Sequence, residues 1–261
     1  RSTLLASSAA SDVYKRQWMG GLLALALAAL CMLPTQAQAA SSSTTEKHMH
    51  GDVECILWTD ERAREQCGPN STASNSLPYV DYGQLGIYCL TKDVYLPKDW
   101  TPYTWWGGTN SLTICLNGHT ITVKDGADYT YYVTRSHILN IVDCQGSGVI
   151  NGGSTAASKR AGVKVESYGT FNLYAGTIKG FGSGVAVQKN GSFEMYGGSI
   201  AGNSAATYGG GVYDNVAYVT LYGGSITGNT ANSYGGGVYV DGGGFTMSGG
   251  TIGGTKTGET N

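Results

Sequence analysis

Along the second half of the chain, apolar and polar residues alternate in short runs bounded by glycine. Val163-Lys164-Val165-Glu166 and Phe171-Asn172-Leu173-Tyr174 are two such runs. A period of two puts alternate side chains on opposite faces of a strand. The runs also recur. With Phe171, Phe193, Val219 and Phe245 as anchors, Leu173, Met195, Leu221 and Met247 follow two residues later. Ile178, Ile200, Ile226 and Ile252 follow the same anchors seven residues later. The anchors lie 22, 26 and 26 residues apart, room for three short strands each and for no crossover helix. Such units predict an all-β fold, a parallel β-helix solenoid.

The pattern extends upstream in weaker form. Ile114, Leu116 and Ile121 fit it, as do Ile87, Cys89 and Val94. Leu139 and Ile141 fit the first two places, and Ile150 arrives late, which predicts a four-residue insertion near Cys144. About seven rungs result, stacked at ~4.8 Å into a rod of roughly 30 Å. Glycine acquires a role in this frame: 27 of the 41 glycines fall in residues 161–261, where pairs and triplets mark the corners between strands. Asn203 and Asn229 recur at one corner and are expected to stack as a structural amide ladder. The chain stops just after Ile252 without a polar capping unit, so the solenoid over 81–261 is expected to be incomplete at its C-terminus.

The N-terminal third is of another kind. Residues 1–17, with Ser11 to Gln17 reading SDVYKRQ, resemble a translated sequencing adapter and are set aside. Residues 18–39 hold the apolar run Gly20 to Pro34 and small residues at Ala37 and Ala39, the pattern of a secretory signal peptide. Secreted or cell-surface localisation follows as the expectation, with membrane contact only through that peptide. Cleavage would leave Cys55, Cys67, Cys89, Cys115 and Cys144, too few for a disulfide-dense scaffold. The segment 40–80 offers His48, His50, Cys55 and Cys67, but H-x-H with distant cysteines matches no standard structural zinc spacing. A Cys55–Cys67 disulfide is the simpler expectation there, with no metal and no cofactor.

LNGHTI at Leu116 to Ile121, DCQGSGVING at Asp143 to Gly152 and GGSITGNTA at Gly223 to Ala231 resemble bacterial secreted right-handed parallel β-helix proteins, which implies a right-handed coil. The chain is similar to the glycine-rich surface repeat proteins of gut Firmicutes, within the pectin-lyase-like superfamily, and its GG[ST]I units resemble chlamydial outer-membrane repeats. The resemblance covers about Tyr82 to Gly254. It implies surface display or adhesion in the repeat-protein branch and cleavage of acidic polysaccharides in the enzyme branch, the alternative being a polysaccharide lyase or glycoside hydrolase.

The chemistry available narrows the choice. A formal net charge of −2 removes the footprint of a nucleic-acid binder. From residue 161 on, the acids are Glu166, Glu194, Asp214, Asp241 and Glu259, and neither arginine nor histidine occurs after Arg160. Glu166 and Asp241 share an offset three rungs apart, roughly 14 Å, beyond the separation of a hydrolase carboxylate pair, about 5–9.5 Å. No catalytic residue is therefore assigned. Asp214 takes an inward slot and is read as a strand end bent by the Asp214-Asn215 turn. His119 and His137 are read as surface residues.

Tyrosine is the more informative residue. Tyr174, Tyr196 and Tyr222 share one outward offset before Ser248 ends the series; Tyr213 and Tyr239, and Tyr208 and Tyr234, repeat likewise. Columns of rings suit stacking on sugars, although they also stabilise neighbouring rungs by stacking on each other. Tyr174, Tyr196, Tyr222, Tyr213 and Tyr239 are the candidate ligand-binding residues, for an extracellular glycan or a host surface protein. The three tryptophans within Trp100 to Gly108 are read as an apolar flap over the first rungs.

Overall fold

The computed structural model describes residues 48–50, 52–67, 69–78, 86–97, 111–123, 128–153 and 161–253. The adapter-like residues, the signal peptide, the tryptophan flap and residues 254–261 lie outside that set. Among the described residues the chain is all-β apart from one helix, Asp60–Cys67, and its strands stack in parallel into a β-solenoid of about six turns. That is one turn fewer than the anchors suggested, because the first turns contribute described strands to only two of the three long sheets. The eight-stranded sheet runs from Ile56–Trp58 to Gly244–Met247, the seven-stranded sheet from Val94–Leu96 to Thr251–Gly253 and the five-stranded sheet from Tyr129–Val133 to Val238–Asp241.

In the later turns the register follows the sequence pattern. Phe171, Phe193, Val219 and Phe245 pair in order across the eight-stranded sheet, as do Leu173, Met195, Leu221 and Met247. Ile150, Ile178, Ile200, Ile226 and Ile252 form the matching column of the seven-stranded sheet. The side chains meet inside: Phe171 and Phe193 are fully buried and stacked, with ring centroids 5.2 Å apart. Burying each such side chain contributes about 1.5–3 kcal/mol.

The earlier turns depart from the anchors read in the sequence. Leu112 pairs with Leu139 and Ile114 with Ile141, two residues from the expected alignment, which leaves the inward face unchanged. Gly86–Leu90 is displaced by one: Gly86 pairs with Leu112 and Tyr88 with Ile114. Tyr88 and Leu90 therefore join the core, and Ile87 and Cys89 turn outward. A one-residue slip exchanges the two faces, and here both faces are apolar, so alternation could not decide.

Corners carry the left-handed backbone. Gly176, Gly198, Gly224 and Gly250 have φ of 93°, 75°, 83° and 83° at equivalent places before the seven-stranded sheet, where other residues would be strained. At the next corner of the coil the Asn203 amide donates to Asn229 Oδ1 at 2.9 Å, and Asn229 Nδ2 donates to the Ile200 carbonyl at 2.8 Å. Both side chains are buried, and Asn203 Oδ1 accepts from Phe181 N at 3.0 Å, so the amide ladder satisfies the corner backbone as well. The insertion before Ile150 is clasped by the buried Asp143. Its Oδ1 accepts from Gly118 N and its Oδ2 from Gly148 N, both at 2.7 Å.

The eight-stranded sheet begins inside the segment that composition set apart, since Ile56–Trp58 pairs with Tyr88–Leu90. Trp58 is fully buried, and its indole donates to the Ser76 carbonyl at 2.9 Å. Asp60 and Glu61 lie in the first helical turn, where negative charge complements the helix dipole. Before this strand, Met49–His50 and Val53–Glu54 form a small antiparallel hairpin. Cys55 is disulfide-bonded to Cys89, not to Cys67, whose thiol donates to the Leu77 carbonyl at 3.7 Å. The bond ties the hairpin to the outer face of the solenoid, a pairing that linear distance could not reveal.

Candidate functional site

The outer face of the eight-stranded sheet carries one continuous column. Leu57, Cys89, Cys115 and Val142 pair in succession, and the next outward place is Tyr174. Tyr174, Tyr196 and Tyr222 continue the column with nearly parallel rings, at 4.7 Å and 4.8 Å between centroids. Each ring face is thus largely spent on its neighbour. Tyr174 is buried at 3% exposure, Tyr196 is half-buried and Tyr222 is 48% exposed. Tyr196 donates its hydroxyl to Glu194 Oε2 at 2.5 Å. Burial, and then the Glu194 carboxylate, pushes the Tyr174 and Tyr196 hydroxyls well above their ordinary value. This stack has little ring surface left for a ligand except at Tyr222.

The outer face of the five-stranded sheet is different. Tyr132, Lys164, Ala186, Tyr213 and Tyr239 form its column, so a small side chain stands between large ones. A groove of about 410 Å³ lies over this gap, with Tyr129 and Lys164 on one side and Tyr208 and Tyr213 on the other. The walls are braced. Tyr208 stacks on Tyr239 at 4.6 Å and on Tyr234 at 5.9 Å, and Tyr213 stacks on Tyr239 at 6.0 Å. Lys164 Nζ sits 5.2 Å from the Tyr129 ring centroid and 5.3 Å from that of Tyr132, within cation–π range. Its charge is shared with the buried Glu166, 3.8 Å away, which also holds Lys189 at 3.1 Å and accepts from the Tyr132 hydroxyl. Burial alone would raise the Glu166 carboxyl, but Tyr132 and the two lysines hold it below its usual value.

Tyr213 and Tyr239 were legible as a repeat; Tyr129, Lys164 and Ala186 were not singled out. The signal that could have found them is the interruption of a bulky outward column by Ala186. Among the described residues, none of the groove's lining side chains is a carboxylate. Asp214 stands next to the end of its strand. It is fully buried within Val212–Asn215, where Oδ1 accepts from Ala217 N at 3.0 Å and Oδ2 has no partner among the described residues. Burial raises its pKa. His137 is buried too, with Nδ1 2.5 Å from the Thr134 carbonyl oxygen, whereas His119 is partly exposed, 3.4 Å from Asp93.

At the other end of the Tyr174 column the sequence brought together less than the fold does. His50 Nε2 lies 3.6 Å from Cys89 Sγ and 3.1 Å from Cys144 Sγ, and Cys144 Sγ lies 3.5 Å from Cys115 Sγ. The neighbouring Cys144 thiol, with His48 and His50, holds the Cys115 thiol well below its ordinary range despite its burial. Comparison with protein-family models, with curated proteins and with solved structures finds no match to this chain.

Proposed function

We propose that this solenoid is a secreted or cell-surface display scaffold, an adhesin, that binds an extracellular glycan in the groove over Ala186. The observation that carries the reading is the gap at Ala186 in a column of large side chains, walled by Tyr208 and Tyr213 and by Tyr129 beneath Lys164. Sugar rings present apolar C–H faces and a hydroxyl rim. Tyrosine offers the complementary pair, a ring face and a hydroxyl at its edge. The bracing stacks behind Tyr208 and Tyr213 fix these rings before binding, so little side-chain entropy is lost on association. Lys164 adds a cation suited to an acidic sugar.

The contact is therefore assigned to the Tyr208–Tyr213 side and not to the Tyr174 stack. A glycan array of the purified chain, followed by titration of the best ligand, tests this. Ala186→Arg should fill the groove and weaken binding by more than about tenfold, a loss of ~1.4 kcal/mol, while Tyr222→Ser leaves it unchanged. Binding that survives Ala186→Arg but falls with Tyr222→Ser would return the contact to the other face. Release of unsaturated or reducing ends from polysaccharides would instead favour the lyase or hydrolase reading.

A further inference from the structure

We propose that His48, His50, Cys115 and Cys144 form a four-coordinate site for a thiophilic divalent cation, zinc by class, which clamps the N-terminal hairpin onto the side of the solenoid. The four ligand atoms all lie within 4.8 Å of one another. Ligands about 2.0–2.3 Å from a tetrahedral zinc sit roughly 3.3–3.8 Å from each other. The distances here bracket that range: 3.5 Å between the two sulfurs, 3.1 Å from Cys144 Sγ to His50 Nε2, and 4.0 Å from Cys115 Sγ to His48 Nε2. Two thiols and two imidazoles are the donor set that soft and borderline divalent ions select over calcium or magnesium.

Each ligand is delivered by the fold. His48 and His50 are two residues apart on an extended segment, and strand periodicity puts both on one face. Cys115 ends the strand Ser111–Cys115 on its outward side, paired in register between Cys89 and Val142. Cys144 stands in the inserted loop, next to Asp143, whose two carboxylate hydrogen bonds fix that loop. The sulfur and nitrogen partners are 67 and 94 residues apart in sequence, so no local spacing announces the site. Cys115 and His50 are buried, which excludes bulk water from the ion. The same histidines also lie near Cys55 and Cys89, but those two sulfurs are bonded to each other and are not available as thiolates.

The full chain, purified with reductant and without chelator, should carry one equivalent of zinc. Replacing zinc by cobalt should give the intense visible bands of a tetrahedral ion together with thiolate charge transfer. Cys115→Ser and Cys144→Ser should each lower the affinity for cobalt by more than about 100-fold, and His48→Ala should weaken it as well. His48 is only partly buried, so this third variant reports on the site even where a cysteine variant fails to fold. The Cys55→Ser/Cys89→Ser double variant should keep its cobalt bands. Three results would overturn the assignment: reduced wild-type protein without tetrahedral cobalt bands, a Cys115–Cys144 disulfide found by peptide mapping of the protein as isolated, or binding lost only in the Cys55/Cys89 double variant.

Discussion

The turns from Ala161 onward and the turns before Asn151 reach the same coil by different means. In the later turns each layer resembles the next, and stabilisation passes between neighbours: Phe171 on Phe193, Asn203 on Asn229, Tyr174 on Tyr196 on Tyr222. In the earlier turns the layers differ. They are joined by contacts that do not repeat from turn to turn, namely the Cys55–Cys89 disulfide, the Asp143 clasp and the cluster of His48, His50, Cys115 and Cys144. Repetition makes ladders, and irregularity requires cross-links. The first kind of stability is additive along the rod; the second is concentrated in a few groups.

The sharpest way to break this comparison is to remove one rung from the middle of the regular half. Phe193→Ala deletes a fully buried ring stacked on Phe171 and should cost about 3–5 kcal/mol. Hydrogen exchange should then speed up in the strands Thr170–Leu173 and Tyr218–Leu221 on either side while the turns around Cys89 and Cys115 stay protected. Uniform loss of protection throughout the coil would show that the two halves unfold as one unit.

The converse experiment removes a cross-link. The Cys55→Ser/Cys89→Ser double variant should lose about 2–4 kcal/mol, measured by denaturant unfolding, with faster exchange confined to the hairpin and the first strands. A smaller and more local effect sharpens the picture of the regular half. Asp214 is buried with one carboxylate oxygen lacking a partner among the described residues, and its folded-state pKa is raised above the ordinary 3.8. The folded protein therefore holds a proton that the unfolded chain releases, so stability falls as pH rises from 3.8 through the folded value, and the penalty persists at neutral pH. Asp214→Asn keeps the acceptor for Ala217 N, removes the buried charge and should raise the melting temperature relative to the wild type at neutral pH. That gain should vanish in thermal melts taken below pH 3.8.

The same division explains what could be read from the sequence. The columns from Phe171 to Phe245 and from Ile178 to Ile252 were legible because one face is buried and the other solvated, so alternation marks the inward side. At Gly86–Leu90 that signal fails. Glycine occupies an inward place opposite Leu112, and the hairpin covers the outer face, so Ile87 and Cys89 look as apolar as the core. The ligand set around His50 was hidden for a related reason, since its members are adjacent only across layers. The groove was half legible: Tyr213 and Tyr239 repeat, but the cavity comes from what is missing between Lys164 and Tyr213, and Ala186 gives no positive signal.

The stack of Tyr174, Tyr196 and Tyr222 has a consequence beyond packing. Three identical chromophores held nearly parallel at 4.7–4.8 Å share their electronic excitation instead of absorbing independently. Coupling between stacked rings weakens as they move apart, so the near-ultraviolet circular dichroism of this stack should report on the spacing between turns. The solenoid thus contains its own optical strain gauge, placed on the column that also bears Cys115.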